Sequence, residues 1–139
     1  MEARRLYPVH SAVVLLLAGF VDGCSKSPGA AQEVARIPSP HQQIEMVVTE
    51  VDTGATTPTV FEVFILPRGR APTQEDLVLK VDKSSQPRVG WVSPTAAVIS
   101  CDDGRVWHFQ NFASVKLAER QFSTISISLA CGEHGYKRQ

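Results

Sequence analysis

Short stretches of alternating apolar and polar residues, separated by turn-forming residues, constrain this chain more than any other feature. The clearest stretch runs from Thr59 to Leu66, where Phe61, Val63 and Ile65 fall on one face of an extended strand. The sequence Asp102-Asp103-Gly104 favours a hairpin turn, because an Asp-Gly pair tolerates positive φ. Short strands at near-regular spacing with turns between them predict an antiparallel all-β domain.

This domain is predicted to be one small meander or sandwich-like unit over residues 43–132, followed by a frayed tail over 133–139. Residues 111–120 are ambiguous, because Val115 and Leu117 suit a strand whereas Ala118 to Arg120 suit a helical turn. The predicted strands are residues 44–51, 59–66, 77–82, 89–93, 97–101, 105–110 and 122–131.

The N-terminal segment has a different pattern. Arg4 and Arg5 precede an apolar run over residues 12–21, and the small residue Gly23 stands directly before Cys24. A basic start, a short apolar run and a small residue at the end are typical of a secretory signal. The run is shorter than the about 20 apolar residues that span a bilayer. We therefore predict a signal peptide over residues 1–23.

The end of this segment, Val21-Asp22-Gly23-Cys24, resembles the lipobox of bacterial lipoproteins, although Asp22 stands where that family has a small residue. The resemblance implies that Cys24 is lipidated and becomes the mature N-terminus, which anchors the protein to a membrane. Ser25, rather than Asp, after the cysteine implies the inner leaflet of the outer membrane, facing the periplasm. One alternative is an ordinary signal cut after Gly23, which leaves a soluble periplasmic or secreted protein. A retained single-pass anchor is the other.

Residues 24–42 are rich in proline, serine, glycine and alanine and show no period of 2 or 3.6 residues. Such a composition is typical of a flexible linker, and about 18 residues of coil reach on the order of 25 Å. We therefore predict a tether between the lipid and the β domain.

The chain has three cysteines, an odd number for an exported protein. If Cys24 carries lipid, Cys101 and Cys131 remain as a pair, and strand alternation places both on the apolar side of their strands. A disulfide between them would contribute roughly 3–4 kcal/mol on the chain-entropy model. The alternative is two unpaired buried thiols.

The charges exclude some partners. The 14 Lys and Arg balance 14 Asp and Glu, so no basic excess indicates nucleic acid. No cofactor and no small-molecule substrate is predicted.

The strongest candidate for a polar site is a strand end and the loop after it, where carboxylates and hydroxyls could bind a cation such as Ca²⁺. An Asp-capped turn explains the same residues and is favoured. The site comprises Glu50, Asp52, Thr56 and Thr57.

Catalytic patterns are weak. Ser100, Asp102 and His108 are the residue types of a hydrolase triad, but no Gly-x-Ser-x-Gly turn accompanies them. His41, His108 and His134 lack zinc-binding spacing, so no metal site is predicted. We therefore expect a protein that is not an enzyme.

One face of the second predicted strand is a candidate partner face. Val60 and Phe64 alternate with the core residues of this strand, so they point away from the main core. Large apolar side chains exposed there would mark a binding site for a protein.

Two further resemblances concern the β region. Ser39-Pro40 and Trp91-Val92-Ser93-Pro94, each followed by a strand, are similar to propeller-blade repeats. With about one and a half blades, a closed propeller is excluded and a blade-like meander remains. The segment from Val47 to Thr57, with its Gly-Ala-Thr-Thr loop, resembles small uncharacterised bacterial proteins, and no activity is implied by it.

These features predict a non-enzymatic, lipid-anchored envelope protein whose β domain binds a protein or another envelope component. The first alternative is a lipid-anchored inhibitor or immunity protein against a hydrolase such as lysozyme, because Ser100 to Arg105 resembles a Cys-containing hairpin of lysozyme inhibitors. The second alternative is a periplasmic enzyme.

Overall fold

The computed structural model describes residues 29–132, which fold into nine β-strands and one short 3₁₀ helix. The all-β prediction is therefore confirmed. The predicted signal peptide over residues 1–23, the predicted lipidation residue Cys24 and the predicted tail 133–139 lie outside the described residues. The strands are β1 (Ala31–Pro38), β2 (Ile44–Val51), β3 (Val60–Pro67), β4 (Leu77–Asp82), β5 (Arg88–Ser93), β6 (Ala96–Cys101), β7 (Arg105–Phe109), β8 (Phe112–Ala118) and β9 (Gln121–Cys131), and the 3₁₀ helix is Gln74–Asp76.

The strands form two sheets. Sheet A has five strands in the order β1-β2-β3-β4-β7, and all of its neighbours are antiparallel. Sheet B has four strands in the order β5-β6-β9-β8, in which β6 and β9 are parallel. The chain leaves sheet B after β6, adds β7 to the edge of sheet A and returns as β8. This crossover explains why β9 can lie parallel to β6.

The core lies between the inner faces of the two sheets. Met46 and Val63 from sheet A and Ile99 and Ile125 from sheet B are fully buried in one cluster. Burial of each such side chain stabilises the fold by about 1.5–3 kcal/mol. At the edge, the indole N–H of Trp91 donates a hydrogen bond to the Ile37 carbonyl oxygen at 3.1 Å, which links β5 to β1.

The cysteine prediction is confirmed: Cys101 and Cys131 form a disulfide, with their Cα atoms 4.4 Å apart. The two residues are directly paired at the ends of the parallel strands β6 and β9. The disulfide therefore closes the 30-residue crossover through β7 and β8.

The predicted tether over residues 24–42 is wrong from residue 31 onward, because β1 occupies Ala31–Pro38 and pairs along β2. The β domain begins with this strand and not at residue 43. A bulge between Glu33 and Ala35 interrupts the two-residue period, so the alternation that identifies a strand is lost in the sequence.

The ambiguous stretch 111–120 contains β8, so the strand alternative is correct. Ala113 and Val115 face the core. Among residues 29–132, no helix has the length and apolar character that a membrane crossing requires.

Candidate functional site

The outer faces of the two sheets differ in charge and in exposure. The outer face of sheet A, which we call the charged face, carries acidic and basic side chains from all five of its strands. Its charged residues are Glu33, Arg36, Glu45, Glu62, Lys80, Asp82 and Arg105.

Glu45 shows how a buried carboxylate on this face is paired within the chain. Its side chain is buried, yet it accepts a hydrogen bond from Arg36 at 2.5 Å and one from the Gly69 N–H at 3.0 Å. Arg68 adds an ion pair at 3.4 Å. Burial alone would raise the pKa of Glu45, but the Gly69 N–H and the arginines outweigh it and hold the pKa below its usual value. The carboxylate therefore stays ionised and fixes the loop that follows β3.

A second buried carboxylate lies on the same face. Asp82 accepts two hydrogen bonds from Arg105, at 3.1 and 2.6 Å, and this guanidinium stacks 4.1 Å from the ring centre of Trp107. Arg105 lowers the pKa of Asp82, burial opposes this, and the Trp107 side chain lowers it further. Glu62 is paired with Lys80 at 2.9 Å. The three buried carboxylates of this face all have cationic partners within the chain.

The candidate partner face at Val60 and Phe64 lies on this side of sheet A, and the structure does not leave it open. Phe64 is only 4% exposed and packs with Val47, Leu66 and Leu77, while Val60 is half-buried. The loop after β3 returns to this face through the contacts of Gly69 and Arg70 with Glu45 and Arg36. The expectation that Phe64 binds a partner is therefore corrected.

The residues proposed for a cation site form a local turn. Asp52 accepts a hydrogen bond from the Gly54 N–H at 3.0 Å, and the Thr57 hydroxyl donates to the Thr53 carbonyl oxygen at 2.8 Å. Glu50 is half-buried on β2, and Thr56 is exposed in the loop. These contacts support the Asp-capped turn. Within residues 29–132, no three His, Cys, Asp or Glu side chains lie close enough together to hold a metal ion.

The three triad residue types are not brought together. Ser100 points outward from sheet B, between the inward-facing Ile99 and Cys101, whereas His108 lies on β7 of sheet A. Asp102 accepts hydrogen bonds from Ser85 and, at 3.5 Å, from Arg88. Residues 100–105, which resemble an inhibitor hairpin, connect the two sheets and make their polar contacts within the chain.

The outer face of sheet B, which we call the open face, is not covered by any of residues 29–132 and is almost uncharged. Phe112 is 57% exposed and Phe122 is 61% exposed, and Val92 is exposed at the β5 edge. The face is formed by Arg88, Gly90, Ala96, Val98, Ser100, Phe112, Ser114, Lys116, Phe122, Thr124, Ser126, Ser128 and Ala130.

The chemistry of the open face suits a binding surface. Along β9, Thr124, Ser126 and Ser128 present small hydroxyl groups next to Phe122. Among the described residues of this face, only Arg88 and Lys116 are charged, and neither is acidic. Exposed aromatic side chains on a flat, weakly polar surface are typical of interaction sites, because little free energy is needed to remove such a surface from water.

The sheet edges are less suitable for a partner. Each of the four edge strands has one extra residue that forms a bulge. Bulges at edges disfavour pairing with another strand, because they interrupt the row of free backbone groups. The extra residues are Val34 in β1, Val92 in β5, Trp107 in β7 and Leu117 in β8.

Sequence reasoning did not identify Phe112 and Phe122 as surface residues. The signal was present: Phe122 shares its alternation phase with Thr124, Ser126 and Ser128, which is the polar side of β9. An aromatic residue on the polar side of a strand is the pattern that would have found it. Comparison of the chain with protein-family models, with curated proteins and with solved structures finds no match.

Proposed function

We propose that this chain is a non-enzymatic lipoprotein of the bacterial envelope, anchored through Cys24, whose open face binds a protein or another envelope component. The observation that carries the binding role is the pair of exposed aromatic residues, Phe112 and Phe122, on a face without acidic groups among the described residues. The anchor is supported by the signal-like residues 1–23 and the lipobox-like end at Cys24.

The open face favours association for two physical reasons. Removing its hydroxyl and methyl groups from water costs less free energy than removing the ion pairs of the charged face. Its phenylalanines supply large apolar area, and aromatic residues carry much of the binding free energy at protein interfaces.

The anchor would hold the domain near the membrane. The chain from Cys24 to the first strand at Ala31 spans at most about 25 Å when fully extended. The open face would therefore meet partners that reside in, or next to, the same membrane.

Labelling with radioactive palmitate tests the anchor. We expect the intact chain to incorporate the label and Cys24→Ala to lose it. Ser25→Asp is the matched control: it should keep the label but move the protein from the outer to the inner membrane fraction. An unlabelled mature protein that is released as a soluble species would refute the anchor.

Affinity purification from solubilised envelope tests the binding role. Components that depend on the open face should be lost with Phe122→Ser and retained with Trp107→Ser, which removes an aromatic residue of similar exposure, 59%, beside the charged face. Equal recovery with both variants would contradict the assignment of the open face.

A further inference from the structure

We infer that the partner of the open face is the open face of a second copy of this chain. This inference rests on the binding role proposed above and names the partner. It is drawn from the distribution of bulk and charge over the face, together with the bulged edges, which leave face-to-face contact as the favoured mode.

The two ends of the open face differ in bulk. Phe122 projects from the end where β8 turns into the start of β9, which we call the hairpin end, and Phe112 lies halfway along β9, opposite Ser126. Towards the other end, which carries the Cys101–Cys131 bridge and which we call the disulfide end, Gly90, Ser128 and Ala130 are small and only Val98 is a larger apolar residue. A two-fold contact places the same surface on both sides, so it requires protruding and flat areas within one face. A rotation that exchanges the two ends about the level of Ser126 sets Phe122 of each copy over the region of Ala130 of the other, and it brings the two Phe112 side chains together at the centre.

The two ends also differ in charge. Lys116, Glu119 and Arg120 lie at the hairpin end, with two basic residues and one acidic residue, a formal charge of +1. At the disulfide end, Arg88, Asp102 and Asp103 give one basic and two acidic residues among residues 29–132, a formal charge of −1. The rotation that matches bulk therefore also brings each positive end against a negative end. Complementary potentials of this kind favour association and fix its orientation.

The size of the face sets the expected strength. With strands about 4.8 Å apart and outward residues about 6.7 Å apart along a strand, the thirteen open-face positions cover on the order of 400 Å² of sheet plane in each copy. Side-chain relief and the charged ends add to this area. The two faces together amount to about 800 Å², below the about 1,200 Å² at which standard specific interfaces begin, so the dimer should be weak and form reversibly with concentration.

Sedimentation equilibrium of the full chain in detergent micelles tests the inference. We expect a monomer–dimer equilibrium in the micromolar range. Phe122→Ser should weaken the dimer about tenfold or more, since an exposed aromatic residue would be lost from the contact. The control Trp107→Ser should leave the equilibrium unchanged.

Charge reversal tests the orientation. Lys116→Glu and Asp103→Lys should each weaken the dimer, by about three- to tenfold at low salt. The two changes combined in one chain should restore it, because each end then meets its opposite again. Restoration also shows that the single variants had not simply lost their fold.

A chain that stays monomeric to about 500 µM would overturn self-association. Weakening by Trp107→Ser but not by Phe122→Ser would overturn it as well, because the contact would then involve the other sheet. If the chain is monomeric but still retains an envelope component through Phe122, self-association is wrong and the proposed binding role of the open face stands. Absence of palmitate would refute the anchor alone, and sedimentation would still decide self-association.

Discussion

The two outer faces of this β-sandwich are built from strands of the same kind, yet they have opposite properties. The charged face of sheet A carries buried carboxylates, each held by a cationic partner, and the loop after β3 contacts it through Glu45. The open face of sheet B carries small hydroxyl groups and exposed phenylalanines. A face whose buried carboxylates are all paired within the chain has little charge to offer a partner. This difference supports the proposal that the open face, and not the charged face, binds a partner.

Truncating an outward-facing phenylalanine on each face should give the largest difference in stability between the two faces. Phe64→Ala on the charged face should destabilise the fold by about 3–5 kcal/mol, since its ring is buried against Val47 and Leu66. Phe122→Ala on the open face should change stability by less than about 0.5 kcal/mol. Urea unfolding of both variants measures the difference. Equal losses would show that Phe122 is buried within the chain.

The disulfide should be the next largest effect, and it concerns sheet B. Cys131→Ala removes the link between β6 and β9, which closes a loop of 30 residues, and should cost roughly 3–4 kcal/mol. The reduced and oxidised forms of the unmodified chain should show the same difference in urea. Unchanged stability on reduction would mean that sheet B is held by its core contacts alone.

Arginines on the two faces give a smaller, matched comparison. Arg36→Ala leaves the buried Glu45 with fewer donors and should cost about 1–2 kcal/mol. Arg88→Ala removes a weak contact with the exposed Asp102 and should stay within about 0.5 kcal/mol. Thermal unfolding of the two variants side by side distinguishes these values. The reverse order would contradict the view that ion pairs matter chiefly on the charged face.

The pH dependence of stability should also arise from carboxylates of the charged face. The pKa of Glu45 is lowered in the folded chain from its ordinary value of 4.5, and that of Asp82 is lowered from 3.8. Because the folded state binds protons less readily, their stabilisation is present above these ordinary values and is lost as the pH falls through the lower folded ones. Glu45→Gln should flatten the acid limb of stability against pH, and Phe122→Ser should leave it unchanged. An equally steep limb in Glu45→Gln would exclude this carboxylate as a source.

Much of the fold follows from the sequence, and the failures have physical causes. Alternation identifies β2, β3 and β9 because their residues keep one register over most of their length. It misses β1 and leaves β8 undecided, since the bulges at Val34 and Leu117 shift the phase within a single strand. The parallel pairing of β6 with β9 depends on the crossover through the other sheet, which no local pattern encodes.

The candidate site was harder to predict for a related reason. The outward side of β3 is apolar in sequence, and exposure there depends on whether a distant segment covers it. Contacts of the following loop with Glu45 and Arg36 decide this, and they involve residues far apart in the chain. Phe122 lies on a strand whose polar side is evident, so its exposure could have been predicted from the sequence. The burial of Phe64 could not.

Photo-crosslinking in cells that produce the full chain tests directly whether the open face contacts a second copy. A photo-reactive benzophenone side chain is placed at position 122 on the open face or, as the control, at position 107 beside the charged face. We expect a specific adduct from position 122, at twice the mass of the chain, and none from position 107. Adducts from position 107 with none from position 122 would contradict contact between two open faces.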